Sequence, residues 1–524
     1  MFDTKILGTD EDSIAYAAKL LSQGEVVGMP TETVYGLAAN AFDEAAVRKI
    51  FAAKGRPADN PLIVHISDIS QLEGLVDKIP PLAVKCAEKF WAGPLTMIMP
   101  KSEKIPMVTS GGLDTVGIRM PSHKVARALI SACGFPIAAP SANLSGSPSP
   151  TTAQHVLNDM HGRIPAIIDG GACGVGVEST VISFEGEDGI RLLRPGFISA
   201  EDLMEITPNV LIDKGVLEKL GENVKVRSPG MKYKHYAPKA KVVIVKGDKE
   251  KYEKFVNSRK NAYALCFDGD NIAIPKVTYG RENDDLSQAR ELFDALRHLD
   301  ELGAKKVYAH IPHKDGVGMA VYNRLIRAAA FCIIDLDKPF TIGLTGPTGA
   351  GKGYVGEELK KRGFKIIDCD YYVRKAEEKG SPVLEELAAE FGDDILTDGE
   401  LNRRLLAQRA FESKEKTDAL NRIVHPKVIE LCRQQADGLC VLDAPQLFEA
   451  NAQDDCYKII TVVAPDEMRL ERILKRDNLT ARQAFIRMNA QFDNDYYIKR
   501  SDYVIYNDGR DIINQIDKIM EAIL

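Results

Sequence analysis

The chain has 524 residues, 45% hydrophobic and 27% charged, and its 68 basic and 75 acidic side chains leave a formal charge of −7. At roughly 150 residues per domain, this length makes about three or four domains, each able to bury a core without a disulfide or metal staple. Ordinary apolar content excludes collagen, coiled-coil rods and wholesale disorder, and mild acidity argues against a protein that coats nucleic acid non-specifically.

The nine cysteines (Cys86, Cys133, Cys173, Cys266, Cys332, Cys369, Cys432, Cys440 and Cys456) contain no C-x-x-C pair, and no H-E-x-x-H occurs among the nine histidines. No metal-binding residues are therefore expected, and the scattered thiols fit a reduced, cytosolic setting. The N-terminus has no basic segment followed by an apolar one, and no apolar run approaches the ~18 residues of a membrane span. The expectation is a soluble cytoplasmic protein without membrane contact.

In chain order, Ile14, Ala17, Ala18 and Leu21 fall at helical spacing behind the cap candidates Thr9 and Asp10. Strands are predicted at 26–29, 62–66, 96–99, 116–120, 137–139, 167–168 and 181–184, with a helix over 43–53. This is α/β, though not obviously doubly wound. Residues 225–241 carry Lys225, Arg227, Lys232, Lys234, Lys239 and Lys241 with no acid, broken by Ser228-Pro229-Gly230 and Ala237-Pro238. That composition reads as an extended basic linker. Cleaner β-α alternation follows: strands at 242–245, 262–266 and 306–310, and helices at 285–299 and 319–331. A polar hinge at 335–339 precedes a third unit, which opens with a strand at 340–344.

Within the first unit, Pro30-Thr31-Glu32-Thr33-Val34-Tyr35-Gly36-Leu37 makes a polar rim at a strand end, and Lys54 and Arg56 close a helix stopped by Gly-Pro. Two cations on one turn suit an anion, and are equally ordinary chemistry for a helix C-terminus. Arg119 sits on a strand, and Ala139-Pro140-Ser141-Ala142-Asn143 runs into a Ser/Gly/Pro loop of the kind that can receive phosphates or simply turn. Val177-Glu178-Ser179-Thr180-Val181 and Leu193-Arg194-Pro195-Gly196 complete the set. No Ser/His/Asp or Cys/His pattern stands out. Lys, Arg, Ser and Asn point to anion positioning rather than covalent catalysis.

Lys54-x-Arg56 paired with Ser141-x-Asn143 resembles the threonylcarbamoyl-AMP synthase family, of YrdC-like fold. The likeness continues through Ser228-Pro229-Gly230-Met231-Lys232-Tyr233-Lys234-His235-Tyr236-Ala237-Pro238, similar to the linker of the two-domain form, and Gly316-Val317-Gly318-Met319-Ala320-Val321-Tyr322-Asn323-Arg324-Leu325, similar to the end of its accessory domain. The resemblance implies that L-threonine, bicarbonate and ATP become threonylcarbamoyl-AMP and pyrophosphate, the product passing to the machinery that makes t6A in tRNA. It implies that Thr33, His65, Arg119, Ala139 and Ser179 hold threonine. Arg56, Asn60, Thr115, Ser141, Asn143, Ser149 and Arg194 would hold ATP, Lys54 would assist its phosphates, and His235 and Tyr236 would fold over the nucleotide as a lid. Taken alone, a strand histidine such as His65 is more often a core residue, and only the surrounding motif reverses that reading.

In the third unit, Gly346-Pro347-Thr348-Gly349-Ala350-Gly351-Lys352 lies between a strand and an amphipathic stretch, Tyr354 to Lys361, the context a phosphate-binding loop requires. Gly353 stands where a magnesium-coordinating Ser or Thr is expected. Several segments resemble dephospho-coenzyme A kinase: Ile366-Ile367-Asp368-Cys369-Asp370, Leu420 to Pro426, Val441 to Glu449, Lys475-Arg476-Asp477 and Tyr503 to Asn507. The resemblance implies transfer of the ATP γ-phosphoryl group to a ribose 3′-hydroxyl of dephospho-CoA, with Mg2+. Asp370 would accept the hydroxyl proton, Gly349, Ala350, Gly351, Lys352, Gly353 and Tyr354 would receive the triphosphate, and Arg476 and Arg487 would belong to an arginine-bearing lid. On chemistry alone, Asp370 is equally a helix cap.

The resulting expectation is a multidomain α/β chain. It comprises a YrdC-like twisted-sheet domain (1–215), a basic linker or lid (216–240), a small Rossmann-like accessory domain (241–336) and a P-loop kinase domain (340–524). The alternative keeps the synthase and makes the kinase-like unit a non-catalytic nucleotide-binding module, on account of Gly353. A weak tRNA contact through the linker is the third reading, opposed by net acidity and the lack of aromatic stacking repeats.

Overall fold

The computed structural model describes residues 2–55, 60–216, 237–337, 340–477, 479–489 and 491–523. The chain forms two compact units, residues 1–334 and 335–524. Arg56, His235, Tyr236 and nearly all of the basic linker lie outside the described residues.

The first unit is built on an eleven-stranded mixed sheet. Six neighbouring strands at its middle are, in spatial order, Gly36–Asn40, Ile137–Ala138, Ile63–His65, Thr115–Arg119, Leu95–Pro100 and Thr180–Glu185. Period-two alternation buries both faces: Leu37 and Ala39 enter one apolar core with Ile50, Phe51, Val64 and Ile118, while Ala38 enters the opposite one with Leu21, Met29, Leu129 and Ile130. Asp10 caps the helix Glu11–Ser22 by accepting from the Ser13 N–H, and Asp43 caps Glu44–Lys54 through the Ala45 and Ala46 N–H groups. Gly55, at φ 63°, ends the latter helix in the left-handed region and fixes where Lys54 stops.

Two expectations need correction here. Gly36 and Leu37, read as part of a rim, open the strand Gly36–Asn40; Gly-Leu-Ala-Ala-Asn has weak strand propensity and is buried through Ala39, so it shows no polar alternation. The accessory sheet has five strands instead of three, because Lys276–Thr278 and Ile333–Asp335 are too short to stand out. The latter strand absorbs Asp335, expected in the hinge, and Lys241, expected in the linker, begins the strand Lys241–Lys246.

The second unit is a five-stranded parallel sheet flanked by helices, in the order Lys365–Asp368, Leu439–Asp443, Phe340–Thr345, Lys458–Val463 and Tyr503–Tyr506. The central strand Phe340–Thr345 is buried throughout and feeds the glycine loop into the helix Lys352–Lys361. The helix Lys414–Gln435 runs through Pro426, which removes one ladder hydrogen bond beside His425.

Two candidate active sites

The sheet register of the first unit builds its polar pocket. His65 and Arg119 are direct partners on adjacent parallel strands, so their side chains stand side by side on one face. Arg119 donates to Thr33 Oγ1 at 2.9 Å and to Glu32 Oε1 at 2.7 Å, and Thr33 meets Thr31 at 2.9 Å. Ser179 bonds Thr96 at 2.8 Å and accepts from Arg194 at 3.0 Å. Thr33, His65, Arg119, Ala139, Ser141, Asn143, Ser179, Arg194 and Lys54 all line this one pocket.

Electrostatics sets the charge of each group. Burial, then the neighbouring Arg119 cation, pushes the His65 imidazole down to about 3, so it is neutral at physiological pH. Burial favours the neutral acid at Glu32, and Arg119 overrides it, holding the carboxyl below its usual range. Lys54, only 3% exposed, donates to the Ser141 carbonyl and to Asn143 O at 2.8 Å and Asn143 Oδ1 at 3.3 Å. The K-x-R and S-x-N segments therefore touch, and the ammonium staples the Ser141–Asn143 turn to the helix end.

Three expected ATP ligands are not among the residues lining this pocket. Ser149 is fully buried and donates to Glu178. Thr115 lines a separate apolar cavity with Pro61, Leu62 and Thr96. Asn60 is 2% exposed, and neither of its amide atoms has a partner among the described residues. Sequence reasoning assigned no role to Glu178, which joins Ser149 to Arg324 of the helix Gly318–Ala328 (Nε to Oε2, 2.9 Å). Arg324 is fully buried and also donates to Pro195 O at 2.5 Å. The Asn323-Arg324 pair stood in a quoted segment, but 146 residues separate Arg324 from Glu178, and nothing local links them.

In the second unit, a cavity of about 1180 Å³ opens over the glycine loop, lined by Gly349, Gly351, Lys352, Gly353, Tyr354, Asp370, Arg476 and Arg487. Ala350 is buried beneath it. Gly346, at φ 139°, lets the loop pass the neighbouring strand: a Cβ there would sit 2.1 Å from Val462 O. Lys352 pairs with Asp443 at 2.9 Å. Asp368, not Asp370, caps the helix Cys369–Ala376, accepting from the Asp370 N–H at 2.9 Å, so the Asp370 carboxylate is left to the cavity. Burial and the carboxylates of Asp368 and Asp443 push Asp370 up, partly opposed by Lys352. That direction suits a proton acceptor.

Arg476 and Arg487 both rest on Asp477, at 2.7 Å each. Arg472 bonds the Gly349 and Ala350 carbonyls at 3.3 Å. A Cβ added at Gly353 would meet nothing within 4 Å, leaving space for water where a hydroxyl is otherwise usual. Among the described residues, no three His, Cys, Asp or Glu side chains gather as a metal site. None of the described helices is long and apolar enough to cross a membrane.

A pocket of buried Arg, Lys, Thr and Ser in one unit, and a glycine loop under a cavity with basic walls in the other, define an ATP-using transferase with two sites. Residues 19–196 match the family described as Telomere recombination, 198–330 that of the Threonylcarbamoyl-AMP synthase, C-terminal domain, and 340–512 that of Dephospho-CoA kinase. The threonylcarbamoyl-AMP synthase of Pyrococcus abyssi is 45% identical over 336 residues, spanning 62% of this chain and 96% of its own. The crystal structure of P. abyssi Sua5 complexed with L-threonine aligns at 45% identity with TM-score 0.60, covering 63% of this chain and 99% of that one. The dephospho-CoA kinase of Fusobacterium nucleatum is 37% identical over 189 residues, 35% of this chain and 97% of its own. The chain belongs to the threonylcarbamoyl-AMP synthase family and, through its C-terminal unit, to the dephospho-CoA kinase family.

Proposed function

We propose that the chain carries two reactions: synthesis of threonylcarbamoyl-AMP from L-threonine, bicarbonate and ATP with release of pyrophosphate, and 3′-phosphorylation of dephospho-CoA to CoA. The division proposed is a synthase domain over 1–215, a linker acting as lid over 216–240, an accessory domain over 241–336 and a kinase domain over 340–524.

The observation that carries the first reaction is the convergence of Thr33, His65, Arg119, Ala139 and Ser179 on the pocket that also holds Lys54, Ser141, Asn143 and Arg194. Arg119 suits the threonine carboxylate, with Thr33 and Ser179 as hydroxyl partners and His65 as a neutral neighbour. The threonine complex of the P. abyssi relative supports L-threonine as the ligand. Amine and bicarbonate condense to a carbamate with loss of water. A carbamate oxygen then attacks the ATP α-phosphorus and pyrophosphate leaves. Lys54 acts by fixing the Ser141–Asn143 turn under the phosphates, with Arg56, Asn60, Thr115, Ser149 and Arg194 assigned to ATP and His235 and Tyr236 to the lid. The two amide atoms of buried Asn60, without a partner among the described residues, favour its assignment. The product goes to t6A formation in tRNA, with at most transient tRNA contact.

For the kinase, Lys352 and the lid residues Arg476 and Arg487 neutralise the triphosphate, and Asp370 takes the ribose 3′-hydroxyl proton. Mg2+ would be held by phosphate oxygens and water in the open space at Gly353, and would supply charge neutralisation on the triphosphate. The reading of this unit as a non-catalytic nucleotide binder is favoured by Gly353 alone. Pyrophosphate release that requires both threonine and bicarbonate, and is lost in Lys54→Ala, tests the synthase. ADP release dependent on dephospho-CoA, compared with Lys352→Ala, tests the kinase; equal release from both would leave the non-catalytic reading standing.

A further inference from the structure

Two thiols in the kinase-unit cavity have no part in the chemistry above. Cys369 is the first residue of the helix Cys369–Ala376, directly before Asp370, and Cys432 lies near the end of the helix Lys414–Gln435. Their sulfurs are 3.8 Å apart, and both line the cavity. A disulfide needs about 2.05 Å, so closure asks for an approach of roughly 1.8 Å, within reach of side-chain rotation and a small helix shift. The other two cysteines of the unit are engaged with backbone: Cys440 with Asp437 O at 3.1 Å and Cys456 with Ala452 O at 3.4 Å.

We propose that Cys369 and Cys432 form a thiol–disulfide exchange site that takes a low-molecular-weight disulfide and, when closed, shuts the end of the cavity at Asp370. The activity part of this rests on the kinase reading. Cys432 acts as the first nucleophile, and Cys369, with its sulfur 3.8 Å away, is in place to resolve the mixed disulfide. The Cys432 thiolate attacks one sulfur of RSSR, forming a mixed disulfide and expelling RS⁻. The Cys369 thiolate then attacks the Cys432 sulfur, closing the Cys369–Cys432 bond and expelling the second RS⁻. Two protein thiols are oxidised, and one RSSR is reduced to two RSH. The bond ties the segment carrying Asp370 to the long helix, and misplacing a proton acceptor by about 1 Å can cost up to ~100-fold in rate.

The test incubates the full chain with oxidised glutathione, blocks remaining thiols and maps peptides by mass spectrometry, alongside dephospho-CoA binding and CoA formation. The expected result is a Cys369–Cys432 crosslink, and glutathione retained on Cys432 in Cys369→Ser. Turnover should fall roughly tenfold or more on oxidation and return with dithiothreitol. The oxidised-to-reduced activity ratio should stay near unity in the double variant Cys369→Ser/Cys432→Ser. No crosslink, or a crosslink that changes neither binding nor turnover, overturns the proposal. A reduced chain that neither binds nor phosphorylates dephospho-CoA overturns the kinase reading instead, and the crosslink map still judges the thiol pair.

Discussion

Replacing Arg324 by Leu tests how the helix Gly318–Ala328 supports the synthase site. The guanidinium is fully buried, pairs with Glu178 at 2.9 Å and donates to the Pro195 and Glu178 carbonyls. Removing one partner of such a buried pair costs about 3–5 kcal/mol, because the surviving carboxylate stays desolvated. Against a stability of roughly 5–15 kcal/mol per domain, that is a large share. Burial would raise the Glu178 carboxyl, and Arg324 with Arg194 and the Ser149 hydroxyl hold it below its usual value. Glu178 therefore stabilises the fold above its unfolded pKa, and this is lost as pH falls through the lower folded value. In Arg324→Leu burial prevails, so Glu178 protonates more easily and the variant's deficit shrinks from pH 7 towards pH 5. Urea midpoints of the synthase transition at both pH values measure this, and Glu178→Leu/Arg324→Leu completes a double-mutant cycle. The double variant should recover much of the loss, with coupling above about 1.5 kcal/mol. A loss under about 1 kcal/mol, independent of pH and additive with Glu178→Leu, would refute the reasoning.

Three further outcomes are expected. Gly346→Ala places a methyl 2.1 Å from Val462 O at φ 139° and should cost the kinase unit about 2 kcal/mol or more and abolish ATP binding, read by thermal melting and calorimetry; unchanged binding contradicts the loop geometry. Gly353→Ser meets open space, so it should leave melting within about 0.5 kcal/mol of the parent while lowering the Mg2+ concentration for half-maximal ADP release; an unaltered Mg2+ curve contradicts the account. His65, held down to about 3 by burial and Arg119, binds no proton in the folded state at pH 5, while the unfolded chain does. Stability should thus fall below about pH 6.5 by up to ~1.4 kcal/mol per unit, a slope that His65→Gln removes; an equal slope in that variant contradicts it.

Much of the fold was legible locally. The helix Glu44–Lys54 stands within a residue of its predicted range 43–53, and Asp10, a cap candidate in the sequence, caps the helix Glu11–Ser22. Gly36–Asn40 was missed because burial on both faces erases alternation, and Ile333–Asp335 because three residues carry too little pattern. The P-loop was readable since strand, glycines and lysine are contiguous. The pairing of K-x-R with S-x-N came from family resemblance, and the Lys54 contacts give it a physical basis. Glu178–Arg324 and Cys369–Cys432 could not be read, because sequence distance hides partners that only packing brings together.

The account's central claim is two independent active sites in one chain. Its most direct test is a single preparation given ATP, Mg2+, threonine, bicarbonate and dephospho-CoA, with CoA and pyrophosphate quantified together in the parent, Lys54→Ala and Lys352→Ala. The account predicts that Lys54→Ala loses pyrophosphate and keeps CoA, and that Lys352→Ala does the reverse. CoA formation absent from the parent, or unaffected by Lys352→Ala, would contradict it.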